Sequence, residues 1–167
     1  MQPLSFAKKH VLIVGAGAIG QVYGNAIQKG GSSVGVLIRP YQKQKVEEEG
    51  YYLHKLGVQG RRPGYENFVP DVVYTNHNDV AGIWNEVWIC TSSDAIYQPW
   101  FGELMQRLPA NCTVVMTGIS NLEYVSQFIP LEQVVTFLVS MGSYPGPLPD
   151  EEETYWPPGI VYFLPPM

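Results

Sequence analysis

Long apolar runs are missing from this sequence: none approaches the roughly 18 residues a membrane-crossing helix needs. The opening MQPLSFAKKH has no basic flank leading into a signal-type core. A soluble, cytoplasmic chain with no membrane partner is the expectation. Basic residues are scarce too, ten Lys and Arg against fifteen Asp and Glu for a net charge of −5, so the electrostatic footprint of a nucleic-acid binder is absent. No nucleic acid is expected as a partner. Cysteine is limited to Cys90 and Cys112, both within apolar runs and without metal-ligand spacing. They read as buried free thiols, and no metal is expected. His10, His54 and His77 form no pair with ligand spacing and read as ordinary surface or satisfied histidines. The stretch GISNLEY lacks the second glycine of a nucleophile elbow, so hydrolase chemistry has no support.

What the chain does have is apolar material, 46% of 167 residues, enough for one domain with a sizeable core. Val11 to Val14 is a continuous apolar run that suits a strand buried on both faces of a parallel sheet. Ile19, Val22, Tyr23, Ala26 and Ile27 then recur at helical spacing, predicting a helix over Ala18 to Lys29 that Gly30 and Gly31 stop. Val34 to Ile38 predicts the second strand, and Pro40 opens a helix that runs to Glu49 and ends at Gly50. Residues 51 to 75 are irregular and read as two short extended segments around the basic turn QGRRPG. Further strands are expected at Glu86 to Cys90, Thr113 to Thr117 and Val134 to Val139. Helices are expected near Asp94 to Leu108, where Pro99 fits poorly, and near Asn121 to Phe128. The alternation predicts an α/β fold with a doubly wound parallel sheet.

Between the first strand and first helix lie Gly15, Gly17 and Gly20, spaced G-x-G-x-x-G with Ala16, Ala18 and Ile19 between them. That context reads as a dinucleotide turn rather than a ligand-free glycine-rich bend: one glycine for the tight bend, one for backbone approach to a pyrophosphate, one for close helix packing. The phosphates would meet the free amides and positive dipole end of the helix. An NAD site ends its second strand on an acidic residue, whereas this chain has Arg39 there, with Lys43 one turn later. Guanidinium suits a 2′-phosphate, so NADP(H) is the expected cofactor, with an exposed charge at a strand end as the plainer reading of Arg39. Lys43 has a plainer reading as the i, i+4 partner of Glu47. Trp84, Trp88 and Trp100 are assigned to packing, and Tyr41 is a candidate to stack on an adenine.

The stretches VLIVGAGAIGQVYGNAIQKGG, LIRP and EEGYYL resemble the opening of the ketopantoate reductase family. The likeness continues more weakly through EVWICTSSDA, TVVMTGISNLEYV and EQVVTFLVSMGSYPG, so it covers roughly residues 9 to 146. It implies a Rossmann NADP-binding domain over residues 1–145. It also implies NADPH-dependent reduction of a 2-keto acid substrate, with hydride passing from C4 of the nicotinamide to the keto carbon. Departures from the family's pattern are specific. Its lysine after the strand corresponding to VWIC is replaced by Ser92 and Ser93, and its Gln-Asn-Gly appears as TGISN. On the resemblance Asn121 is the candidate carboxamide, with a helix N-cap as its other reading. Thr91, Ser92 and Ser93 are candidates to line the nicotinamide end, or else to cap the following helix. After Tyr144 seven prolines precede the C-terminus, too many for a helical bundle. Residues 146–167 are therefore expected to add a last strand, GIVYFL, to the same domain, with Asp150 to Glu153 a solvated loop. The family's C-terminal helical domain, which carries its proton donor, is expected to be lacking. A homodimer is the other way to cover the surface it would leave. The alternative function is a stand-alone NADP(H)-binding module with no turnover of its own.

Overall fold

The run Val11–Val14 is apolar throughout because it has two cores to serve. In the computed structural model, which describes residues 8–56, 64–118, 121–148 and 156–164, these residues lie in strand β1 (His10–Val14). Leu12 and Val14 point into one core, while Val11 and Ile13 point into the other. The chain then runs through α1 (Ala18–Lys29), β2 (Ser33–Leu37), a 3₁₀ turn at Pro40–Gln42, α2 (Lys43–Glu49), β3 (Tyr51–Lys55), β4 (Tyr65–Phe68) and β5 (Val72–Tyr74). A 3₁₀ turn at His77–Asp79 leads to β6 (Glu86–Ile89), α3 (Pro99–Met105), β7 (Thr113–Thr117), α4 (Leu122–Val125), β8 (Val134–Phe137), β9 (Gly142–Gly146) and β10 (Gly159–Phe163).

Six of these strands form one sheet in the order β5-β2-β1-β6-β7-β8, with every pairing parallel. Numbered along the chain, those six strands stand in the order 3-2-1-4-5-6 of a dinucleotide-binding Rossmann sheet. The order reverses at β1, so the crevice opens where β1, β2 and β6 end. One face is covered by α3 and α4, whose Phe101, Leu104, Met105 and Val125 pack on Leu12, Val87, Val114 and Met116. The other carries α1 and α2 through Val22 and Val46.

A second sheet, in the order β4-β3-β10-β9, lies on the far side of α1 and supplies Tyr51, Leu53, Phe68, Ile160 and Tyr162 to the second core. Its β3 pairs antiparallel with β4 and parallel with β10, and β10 pairs antiparallel with β9. The sequence reading did not anticipate this sheet. It expected two extended segments in residues 51–75, where three strands occur, and β5 joins the main sheet while β3 and β4 leave it. Residues 59–63 of the basic turn and the acidic stretch Asp150 to Glu153 lie outside the described residues.

Two predicted helices are shorter than expected. The span from Asp94 splits into a 3₁₀ turn at Ala95–Tyr97 and α3, because Pro99 drives Gln98 into an extended conformation (φ −83°, ψ 150°). Pro99 itself is tolerated as an opening residue of α3, where its absent N–H costs nothing. After Asn121 only Leu122–Val125 is α-helical.

Candidate active-site cleft

The glycine turn is built by three different demands. Gly15 sits at φ +88°, donates its N–H to the Leu37 carbonyl at 3.0 Å, and leaves no room for a side chain, since a Cβ would stand 2.7 Å from Thr91 Cγ2. Gly20 lets α1 lie against the turn: a Cβ there would come within 2.3 Å of the Gly15 carbonyl oxygen. At Gly17 a Cβ would meet nothing within 4 Å. Packing within the described chain therefore gives no reason for a glycine there, whereas a pyrophosphate resting on the backbone does. Gly17 is the N-cap of α1, with no side-chain cap and no acidic residue in the first turn, so the leading amides and the dipole remain available to an anion. Gln21 braces the turn by donating from Nε2 to the Ala16 carbonyl at 2.8 Å.

In front of this turn lies a cleft of about 600 Å³. Gly15, Ala16 and Gly17 form its floor, Arg39, Tyr41 and Gln42 one end, and Thr91, Ser92 and Trp100 further wall. Arg39 follows β2, is exposed, and reaches only the Tyr41 hydroxyl at 3.5 Å; no carboxylate pairs with it among the described residues. Tyr41 is 74% exposed beside it, free to present a ring face. The Thr91 hydroxyl is buried with no hydrogen-bond partner among the described residues, and an unpaired polar atom in a cleft marks a place for a ligand donor or acceptor. Burial pushes the Cys90 thiol up to about 12, against a hydrogen bond with Thr117 that lowers it, so this cleft residue stays a neutral thiol. Asp94 is held below the ordinary carboxylate range by its hydrogen bond with the Ser92 side chain and by its own backbone N–H.

The structure thus gathers Gly15, Ala16, Gly17, Arg39, Thr91 and Ser92 around one cleft, with Ala18, Ile19 and Gly20 forming the first turn of the helix that points at it. Other candidates do not arrive. Lys43 bonds Glu47 and donates to the Val73 carbonyl at 3.3 Å, its plainer reading, and does not line the cleft. Ser93 is exposed outside it. Asn121 accepts from the Tyr124 N–H at 3.1 Å as the N-cap of α4 and is likewise outside the cleft. Its carboxamide has the capping role, because the chain turns into α4 immediately after it. Among the histidines, His10 starts β1 at the opposite end of the strand, and His54 is buried with Nε2 2.8 Å from the Pro157 carbonyl.

His77 is satisfied, as the sequence suggests, but its place on the cleft wall was not foreseen. It lines the cleft and bonds Glu103 Oε2 through Nε2 at 2.6 Å. The signal for it was its place just beyond β5, since loops at the carboxyl ends of parallel strands hold the ligands of such sheets. No group of three or more metal-ligating side chains occurs among the described residues, and no helix there is long and apolar enough to cross a membrane.

The comparisons agree with this geometry. Among solved structures, 2-dehydropantoate 2-reductase from Methylococcus capsulatus superposes with a TM-score of 0.64 at 18% identity over 94% of this chain and 46% of its own. D-mandelate dehydrogenase in a ternary structure with NADH and anilino(oxo)acetate gives 0.64 at 18% identity over 93% and 45%. Yersinopine dehydrogenase with NADP+ bound gives 0.61 at 16% identity over 93% and 38%. At these identities the likeness is one of fold, and the chain spans less than half the length of each of these three. No curated protein sequence matches it. The sequence profile of the family described as Ketopantoate reductase PanE/ApbA matches residues 11–145, most of the chain, and the protein belongs to that family.

Proposed function

We propose that this chain is the NADP(H)-binding portion of an oxidoreductase that reduces a 2-keto acid. The observation that carries the reading is Arg39: a guanidinium with no carboxylate partner among the described residues, following the strand where an NAD site would place an acid. Neighbours of similar fold hold NADP+ in one case and NADH in another, so the choice between the two rests on this residue. Arg39 would hold the 2′-phosphate in a bidentate pair, and Tyr41 would cover the adenine. The amides of Gly17 and the first turn of α1 would take the pyrophosphate. Thr91 and Ser92 would border the nicotinamide, the Thr91 hydroxyl gaining the partner it lacks.

When bound, NADPH would supply a hydride from C4 of its nicotinamide to the keto carbon. Thr91 and Ser92 would hold that ring against the cleft wall. A binding module without turnover is the second reading, favoured by Ser92 and Ser93 in place of the family's lysine and by the capping role of Asn121.

The test is a titration of the chain with NADPH and with NADH, followed by quenching of its tryptophans. Preference for NADPH of about tenfold or more, roughly 1.4 kcal/mol, is expected, and Arg39→Ala should remove it. Equal affinity for the two dinucleotides in the unmodified chain rejects the 2′-phosphate assignment.

A further inference from the structure

We infer that His77 is a second selectivity residue of the cleft, donating with Arg39 to the phosphate on the adenosine ribose. The inference rests on the NADP(H) reading above. Arg39 lies beyond the carboxyl end of β2 and His77 beyond that of β5, and these two strands are neighbours in the sheet with Leu37 opposite Tyr74. Both residues line the one cleft, with Thr75 beside His77. A group bound at the end of β2 is therefore bordered by the turn that follows β5.

Glu103 and Arg107 of the α3 region hold that turn. Arg107 donates from Nη1 to the Asn78 carbonyl at 3.0 Å and from Nη2 to the His77 carbonyl, while its Nε reaches the Glu103 carbonyl at 3.2 Å. The Glu103 carboxylate accepts from His77 Nε2 at 2.6 Å, which leaves Nδ1 as the ring nitrogen that a ligand on the cleft wall can meet. The His77 side chain is only 20% exposed, so the brace fixes the ring on the cleft wall as well as the turn that carries it. The charged groups around it are Glu103 and Arg107 from the α3 region, Asp79 in its own turn, and Arg39 beyond β2. One oxygen of the Glu103 carboxylate is taken up by the imidazole, which fixes the ring against the α3 region. Glu103 is then a positioning residue acting through His77.

The test compares His77→Gln, Glu103→Gln and Arg39→Ala in the full chain, with NADPH, NADH, 2′,5′-ADP and 5′-ADP as probes. His77→Gln should weaken NADPH and 2′,5′-ADP about tenfold while NADH and 5′-ADP change less than about twofold. Glu103→Gln keeps an acceptor for the ring but removes the charge, and should weaken the same two probes about threefold. A merely structural turn would move all four probes together, and that result, or no change in any of them, overturns the inference. Loss of selectivity in Arg39→Ala alone would leave the NADP(H) reading standing and remove only His77 from it. If Arg39→Ala keeps full selectivity, or the unmodified chain has none, the NADP(H) reading fails and takes the inference with it.

Discussion

The two sheets that share α1 differ in what their strand directions can accomplish. In the six-stranded sheet every strand runs the same way, so the turns after β1, β2, β5 and β6 all open on one side, and their residues meet in a cleft. In the four-stranded sheet β4 and β9 run against β3 and β10, so the strands do not share one carboxyl end. Its described contribution is a wall of Tyr51, Leu53, Phe68, Ile160 and Tyr162 behind α1. The helix meets both partners through glycines. Gly20 faces the Gly15 carbonyl on the cleft side, and Gly24 faces the Phe68 ring, where a Cβ would stand 2.7 Å from Cζ. Direction creates the cleft, and the mixed sheet fixes the helix whose amino end closes it.

The comparison breaks most visibly at Phe68, fully buried between β4 and α1. Phe68→Ala should cost about 3–5 kcal/mol in a denaturant melt, while the molecules that remain folded keep their NADPH affinity. Gly20→Ala is the mirror experiment. Its extra methyl pushes on a backbone oxygen that cannot move aside, so stability should fall by about 1–3 kcal/mol. Here dinucleotide affinity should fall further than stability does, because the helix leaves the turn. Similar affinity losses in both variants would mean that the sheets are not separable in role.

Asn121→Ala should lower stability by about 1 kcal/mol through loss of the α4 cap and leave NADPH binding unchanged. A loss of affinity in that variant would return Asn121 to the site. The smallest effect concerns Glu66, which ties β4 to α1 through Lys29 and Asn25, each at 2.5 Å. Its hydrogen bond to Lys29 leads the interactions holding its carboxyl below the ordinary range, with burial opposing and Asn25 adding to the lowering. A depressed carboxylate stabilises the fold above its unfolded-state pKa, and the benefit disappears as pH falls through the lowered, folded-state value. Both groups are over a third exposed, so the gain should stay below about 1 kcal/mol. Acid melts of the unmodified chain and Glu66→Gln should differ near neutral pH and converge in strong acid.

The parallel sheet was legible because its signals are local. Thr113–Thr117 and Ala18–Lys29 occur with the predicted bounds, and the turn at Gly15, Gly17 and Gly20 declares itself by spacing alone. The second sheet was not legible, because β3 pairs with β10, where Leu53 lies opposite Ile160. No periodicity in either segment names so distant a partner. Of the strands in residues 51–75, β3 and β5 fall in the two extended segments expected, YYLHKLGV and FVPDVVYT, and β4 is the one that was missed. Asn121 and Lys43 each carried a local reading beside a functional one, and local hydrogen bonds to Tyr124 and Glu47 account for both.

The most direct test is an amide-resolved NMR titration of the chain with NADP+. The shifts should concentrate at Gly15 to Gly20, Arg39, His77, Thr91 and Ser92, and Tyr144 and Val161 of the second sheet should stay still. Saturable shifts centred on the second sheet, or none at the glycine turn, would contradict a dinucleotide site at the carboxyl end of the parallel strands.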